Sequence, residues 1–184
     1  MSAQTNLSLY QNTAYNPGGN AFKRLLWFYV NAVVFKTSLV PVSAVKRVLL
    51  RLFGASIAKG VVIKPCVNIK YPWNLSIGQN TWIGENVWID SLVSISIGAN
   101  ACLSHGAIIL TGSHNYKKTT FNLIVNPVFL ADGVWIGAGA IVNQGVTAAS
   151  HSVLTAGSVA NKSMDEYAIY QGNPAVKVRT RQID

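Results

Sequence analysis

An aliphatic or small residue returns every six positions through most of this chain: Ile57, Ile63 and Ile69, then Ile77, Ile83 and Ile89, then Ile97, Leu103 and Ile109, and finally Leu130, Ile136, Val142, Ala148 and Leu154. Four positions after most of these stands a small or β-branched residue, as at Val61, Val67, Thr81, Val87, Ala101, Ala107, Val134, Ala140 and Val146. A six-residue period sustained this long predicts a parallel β-helix, in which each hexad supplies one short strand and three hexads close a triangular coil. The first residue of a hexad points into a narrow core and the small residue fits a tight corner. Gly, Asn or Asp often fills the turn, as in Ile83-Gly-Glu-Asn-Val-Trp88. A coil buries its apolar edge only against its neighbours, so both ends of the stack need caps.

The beat breaks in three places. The steps from Ile69 to Ile77 and from Ile89 to Ile97 are too long for one hexad, and after Ile109 the rhythm resumes only at Leu130. Counted from Ile57, each break follows the third hexad of its coil, which places all three insertions on one edge of the prism. Insertions in repeat proteins gather on the binding face. This edge is therefore the expected active-site wall. It carries Lys70, Tyr71, Trp73, Asn74, Asp90, Ser91 and the segment Thr111-Gly-Ser-His-Asn-Tyr116.

A chain of 184 residues, half of them hydrophobic, is the size of one domain with a continuous core. Three parts are expected: an N-terminal extension with capping helices (1–56), the β-helix with its long loop at 110–129 (57–160), and a C-terminal cap with a basic tail (161–184). The net charge of +9 is concentrated at the front. Residues 1–70 hold Lys23, Arg24, Lys36, Lys46, Arg47, Arg51, Lys59, Lys64 and Lys70 and no acid. Such a run forms a solvated face or attracts an anionic partner. No nucleic-acid module accompanies it, so a membrane surface or a phosphorylated substrate fits better. Cys66 and Cys102 lack zinc-type spacing, and free thiols without a signal-peptide pattern point to a reducing cytoplasm.

Residues 21–35 are almost wholly apolar but too short to span a bilayer. A second helix is expected to start at Pro41, with Val42, Val45, Leu49 and Leu52 on one face and Ser43, Lys46, Arg47 and Arg51 elsewhere. These helices are expected to cap the open first coil. Their bases and aromatics would also suit peripheral contact with the inner face of the cytoplasmic membrane.

Of the three histidines, His105 and His151 occupy turn positions of regular hexads. His114 lies in the long insertion, just after a strand ends, where an imidazole could take a proton near neutral pH. Trp82 and Trp135 should form an outward column with Cys102 between them, a patch suited to subunit packing.

The hexads, Thr111-Gly-Ser-His114, the Val134-Trp-Ile-Gly-Ala138 run and Gly172-Asn-Pro-Ala175 together resemble the hexapeptide O-acetyltransferases of the galactoside and maltose acetyltransferase group. Leu52-Phe-Gly-Ala55, Val62-Ile-Lys-Pro65 and Tyr71-Pro-Trp73 are similar to the colanic acid biosynthesis acetyltransferases of that group. The resemblance spans residues 20–179. It implies a left-handed β-helix and a homotrimer that binds acetyl-CoA between subunits, with His114 as general base, no covalent acyl-enzyme and no metal.

By the same resemblance the CoA site would draw on small residues along the late coils, Gly137, Ala138, Gly139, Ala140, Ala156 and Gly157. Lys162, Lys177 and Arg179 would meet its phosphates, and the amide of Ala140 or Gly139 would hold the oxyanion. Tyr71, Trp73, Asn74, Asp90 and Asn115 are the expected acceptor surface, for a sugar or lipid-linked saccharide in surface polysaccharide synthesis. Two other functions fit the residues less well. A zinc carbonic anhydrase-like enzyme needs three His ligands, and the three here lack that spacing. A non-enzymatic β-helix scaffold would be favoured by a flat array of Thr, which the insertions, His114 and the basic tail argue against.

Overall fold

In a computed structural model, which describes residues 4–13 and 15–184, five triangular coils stack along one axis. The first face holds Ser56–Ile57, Leu75–Ile77, Ile95–Ile97, Val128–Leu130 and Thr147–Ala148. The second holds Val62–Ile63, Trp82–Ile83, Cys102–Leu103, Trp135–Ile136 and Val153–Leu154. This face is extended by the antiparallel hairpin Ala168–Gly172 and Ala175–Thr180. The third holds Asn68–Ile69, Trp88–Asp90, Ile108–Leu110, Ile141–Val142 and Val159–Ala160. Registers are in phase, so Ile57, Ile77, Ile97, Leu130 and Ala148 stack directly through the core. All are buried, as are the small corner residues Val61, Val87, Ala107 and Ala140. At Gly137 a Cβ would lie 2.5 Å from the amide nitrogen of Ala156 on the next coil, which leaves no room for a side chain.

The three insertions, residues 70–74, 90–94 and 111–127, all join the third face to the first, so they leave one edge as the broken rhythm requires. Trp82 and Trp135 both pair with Cys102, forming the expected outward column.

The N-terminal cap follows from the direction of the hydrogen-bond ladder. Ala58, Val62, Lys64, Asn68 and Lys70 donate their N–H groups to the second coil. No coil precedes the first, and the carbonyls that point the other way need donors from elsewhere. Two helices supply them: α1 (Ala21–Val30), prolonged by a π-helical turn at Asn31–Phe35, and α2 (Ser43–Leu52). Lys46 Nζ donates to the Lys64 carbonyl at 2.8 Å, Arg47 to that of Val61 at 2.7 Å, and Arg51 to those of Ile57 and Ala58. Ser43 Oγ donates to the Ile63 carbonyl and accepts from its N–H, and the Trp27 indole donates to the Ile69 carbonyl at 2.9 Å.

Two expectations change here. The second helix begins at Ser43 rather than Pro41, and it docks largely by its polar side: Lys46 and Leu50 are buried, Ser43, Arg47 and Arg51 reach first-coil carbonyls and Leu49 packs partly on the core, while Val42, Val45, Val48 and Leu52 are exposed. Of the bases expected to meet an anionic surface, Lys46, Arg47 and Arg51 are thus committed to carbonyls. In α1, Trp27 is buried with Phe35 and Phe53 at ring distances of 5.2 and 5.1 Å, whereas Phe22, Leu25, Leu26, Phe28 and Tyr29 face outward.

Lys46 is fully buried, and burial pushes its pKa below the ordinary lysine value. Lys46→Met keeps the stem but orphans the Lys64 carbonyl, so urea unfolding should show a loss of about 1–3 kcal/mol. Lys59→Met, on an exposed turn, should change stability by no more than about 0.5 kcal/mol. Equal effects would remove Lys46 from the cap.

Candidate active site

The long insertion forms an antiparallel hairpin, with Gly112–His114 paired to Leu123–Val125. His114 ends the first strand, and its ring stacks on Phe121 at 4.5 Å with an interplanar angle of 6°. Its Nδ1 lies 2.9 Å from the Phe121 carbonyl oxygen. A carbonyl only accepts, so this contact requires the proton on Nδ1 and leaves the Nε2 lone pair free. That is the tautomer a general base needs. Asn115 belongs to the hairpin turn: its N–H donates to the Asn122 carbonyl at 2.8 Å and its side chain accepts from the Lys117 N–H at 3.2 Å.

Asp90 stands one coil before the hairpin. Its backbone carbonyl accepts from the Thr111 hydroxyl at 2.6 Å, and its carboxylate lies beside Gly112. Burial raises the Asp90 pKa above the usual carboxylate value, a shift opposed by the Lys70 ammonium. Tyr15, which sequence reasoning did not single out, joins this group by donating to the Leu92 carbonyl at 3.1 Å. Burial raises its phenol pKa strongly, with Tyr71 and Asp90 adding to the shift.

Tyr15 arrives on the N-terminal segment, which folds over the insertion edge. The Asn6 N–H donates to the Thr119 carbonyl at 2.8 Å, and Tyr10 lies 6.0 Å from His114. A cavity of about 200 Å³ opens between Gln11, Thr13, Tyr15, Asn122 and Leu123. Two expected acceptor contacts are occupied within the chain. The Trp73 indole donates to the Pro17 carbonyl at 2.8 Å and lies under Lys23, and the Asn74 amide donates to the Ser91 and Leu92 carbonyls. Tyr71, stacked on Trp73 at 5.0 Å and with Lys70 Nζ 5.7 Å from its ring, also lines a neighbouring cavity.

The residues expected at CoA fall on two sides of the prism. A groove of about 460 Å³ on the second face is lined by Ser104, His105, Trp135, Ala138, Ala156 and Arg179, among others. Gly139 and Gly157 occupy the turns where the second face meets the third, each with open space beside its Cα. Lys162 is exposed just past Asn161, which lines a cavity of about 330 Å³ together with Gly112, Ser113, Asn143 and Gln144 on the insertion edge. Lys177 pairs with Asp165 at 3.0 Å in solvent, a contact of little energetic weight. The two amides expected at the oxyanion both have partners within the chain, one in its own turn and one on the preceding coil. Ala140 N–H donates to Gly137, and Gly139 N–H to His105.

His105, His114 and His151 lie on three different edges, and His151 is stacked on Tyr167 at 4.8 Å. Among the described residues no cluster of three or more His, Cys, Asp or Glu side chains could hold a metal.

A three-faced hexapeptide prism, one edge carrying a histidine-bearing hairpin and one face an apolar groove, is the architecture of the hexapeptide-repeat transferases. No family model matches the chain. It is 38% identical over 164 residues, 89% of its length and 90% of the relative's, to the Escherichia coli K12 protein named as the colanic acid biosynthesis acetyltransferase WcaF. The hexapeptide-repeat acetyltransferase VCA0836 of Vibrio cholerae superimposes with a TM-score of 0.78 at 26% identity, covering 88% of this chain and 92% of that one. The same protein complexed with acetyl coenzyme A gives 0.77 at 24%, with 88% of each chain covered. The chain belongs to the hexapeptide-repeat acetyltransferases.

Because the folded-state pKa of Asp90 lies above its unfolded value, ionising it opposes folding, and stability falls as pH rises through that window. Asp90→Asn should therefore raise the thermal midpoint at about pH 7, with the gain disappearing below about pH 4. Loss of stability at neutral pH would mean that Lys70 holds the carboxylate favourably.

Proposed function

We propose that this chain is an acetyl-CoA-dependent O-acetyltransferase of the cytoplasm, acting on a hydroxyl of a sugar or lipid-linked saccharide in surface polysaccharide synthesis. The observation that carries the chemistry is the Nδ1 contact of His114 with the Phe121 carbonyl. With its proton held there, Nε2 takes the proton of the acceptor hydroxyl as that oxygen attacks the thioester carbonyl. The new C–O bond forms, the C–S bond breaks, and the CoA thiolate leaves with the proton carried by the imidazolium. No covalent acyl-enzyme is needed. The saccharide rests on likeness to the relative named for colanic acid biosynthesis, and acetyl-CoA on the complex of the Vibrio cholerae neighbour.

The position of the groove supports a homotrimer. Ala156 and Arg179 line the second face, whereas His114 leaves the edge between the third and first faces. A thioester carried along the groove of one protomer would meet the His114 edge of the next. The exposed Trp82 and Trp135 suit such packing.

Among the described residues no helix is long and apolar enough to cross a membrane. Peripheral attachment at its inner face is supported by the cap, whose helices turn Phe22, Leu25, Leu26, Val45, Val48 and Leu52 outward within an acid-free region.

His114→Ala should lower turnover at least about a hundredfold, with CoA affinity and oligomeric state retained. Acetyl transfer from acetyl-CoA to a panel of saccharides, read by product mass, measures this. Near-normal turnover would remove His114 from the mechanism. His105→Ala should act mainly on the KM for acetyl-CoA, since His105 lines the groove.

A further inference from the structure

Most N-terminal bases near the cap already have partners. Lys46, Arg47 and Arg51 donate to carbonyls of the first coil, Arg24 donates to the Gly19 carbonyl at 2.7 Å, and Lys23 lies 4.9 Å from the Trp73 ring. Lys36 and Lys70 differ. Both are exposed, and among the described residues neither ammonium makes a hydrogen bond or ion pair, although Lys70 Nζ lies 5.7 Å from the Tyr71 ring. They converge, with Arg24, on a cavity of about 230 Å³ between α1 and the third face.

The walls of this cavity are chemically distinct from those of the acyl-donor groove. Phe28, Tyr71 and Trp88 provide rings, Asn31 and Asn68 provide amides, and no acid is among the lining residues. Three cations with no acid among the lining favour an anion, although Lys70 also acts on the Asp90 carboxylate, and the rings favour a flat or apolar group attached to it. A neutral saccharide would need neither the cations nor their convergence. The cavity also adjoins the insertion edge. Tyr71 lines it and contributes to the Tyr15 environment, while Trp88 precedes Asp90 by two residues on one strand, about 7 Å along the chain.

We propose that this cavity binds the phosphate or diphosphate group through which the acceptor saccharide is carried, placing the sugar toward Asp90 and His114. The inference rests on the acetyl-transfer reading for the identity of the acceptor, but not for the existence of the anion site. Arg24 offers its remaining guanidinium donors, and Lys36 and Lys70 supply point charges from the same lining. The rings accept either a nucleobase or the first isoprene units of a lipid carrier. Phe28, which lines the cavity and is 64% exposed, continues the outward apolar face of α1.

Calorimetric titration without CoA separates this site from the acetyl-transfer chemistry. The probes are inorganic pyrophosphate, UDP, and phosphatidylcholine vesicles with and without farnesyl diphosphate. The wild-type protein should bind pyrophosphate in a salt-sensitive manner, and Lys36→Glu should weaken that binding at least about tenfold with an unchanged unfolding temperature. Lys36→Gln, which only removes the charge, should give an intermediate loss and serves if the reversal impairs folding. Tighter binding of UDP than of pyrophosphate assigns a nucleotide-borne acceptor, and preference for farnesyl diphosphate vesicles over bare vesicles assigns a lipid-borne one. Failure of the wild-type protein to bind any diphosphate at low salt, or equal affinity in the Lys36 variants, would overturn the site. Absence of all acetyl transfer alongside intact pyrophosphate binding would instead reject the enzymatic reading.

Discussion

The first coil of a parallel β-helix has carbonyls with no strand to receive from, and much of this molecule is arranged around supplying them with donors. In each later coil the corresponding carbonyls accept N–H groups from the coil before, but Ile57, Val61, Ile63, Lys64 and Ile69 turn carbonyls toward the open end. Buried backbone acceptors left unpaired are costly, and an acidic side chain could not help them. Lys, Arg, Trp and Ser can. The acid-free composition of residues 1–70 is therefore in part a structural demand. Because α2 must face inward with its donors, its valines are left outside. A cap built this way creates an apolar outer surface.

The insertion edge shows how the same repeat organises chemistry. In-phase registers fix where each coil turns, so extra residues added after third-face strands accumulate above one another. The hairpin that carries His114 is held from below by Asp90 through Thr111 and from the side by the N-terminal segment through Thr119. Trp73 anchors that segment by receiving Pro17 and Gly18 against its indole. The edge is thus assembled from residues far apart in sequence, while the groove at Ala156 and Arg179 lies around the prism from it. That separation makes a second protomer the natural source of the other half of the site.

The coils, their three faces, the insertion edge and the Trp82–Cys102–Trp135 column were legible in the sequence because a six-residue period converts directly into register. The orientation of α2 was not, because hydrophobic periodicity assumes that the apolar face docks. The first coil offers carbonyls instead. Trp73 and Asn74 were located on the correct edge, but their engagement by Pro17 and by Ser91 depends on contacts that no local pattern records. Tyr15 was missed for the same reason. Its only signal was an aromatic residue in a polar segment. The split of the CoA candidates between two sides was implicit in the hexad count, since turns after second-face and third-face strands alternate along the chain.

The central chemical claim is the protonation state of one imidazole, and it can be observed directly. In a long-range proton–nitrogen correlation spectrum of the histidine-labelled protein, with His114 assigned by substitution, neutral His114 should appear as the Nδ1–H tautomer. Its Nε2 should carry the shift of an unprotonated nitrogen. A dominant Nε2–H tautomer would contradict the account, because the Phe121 carbonyl would then not hold the ring and no lone pair would face the acceptor.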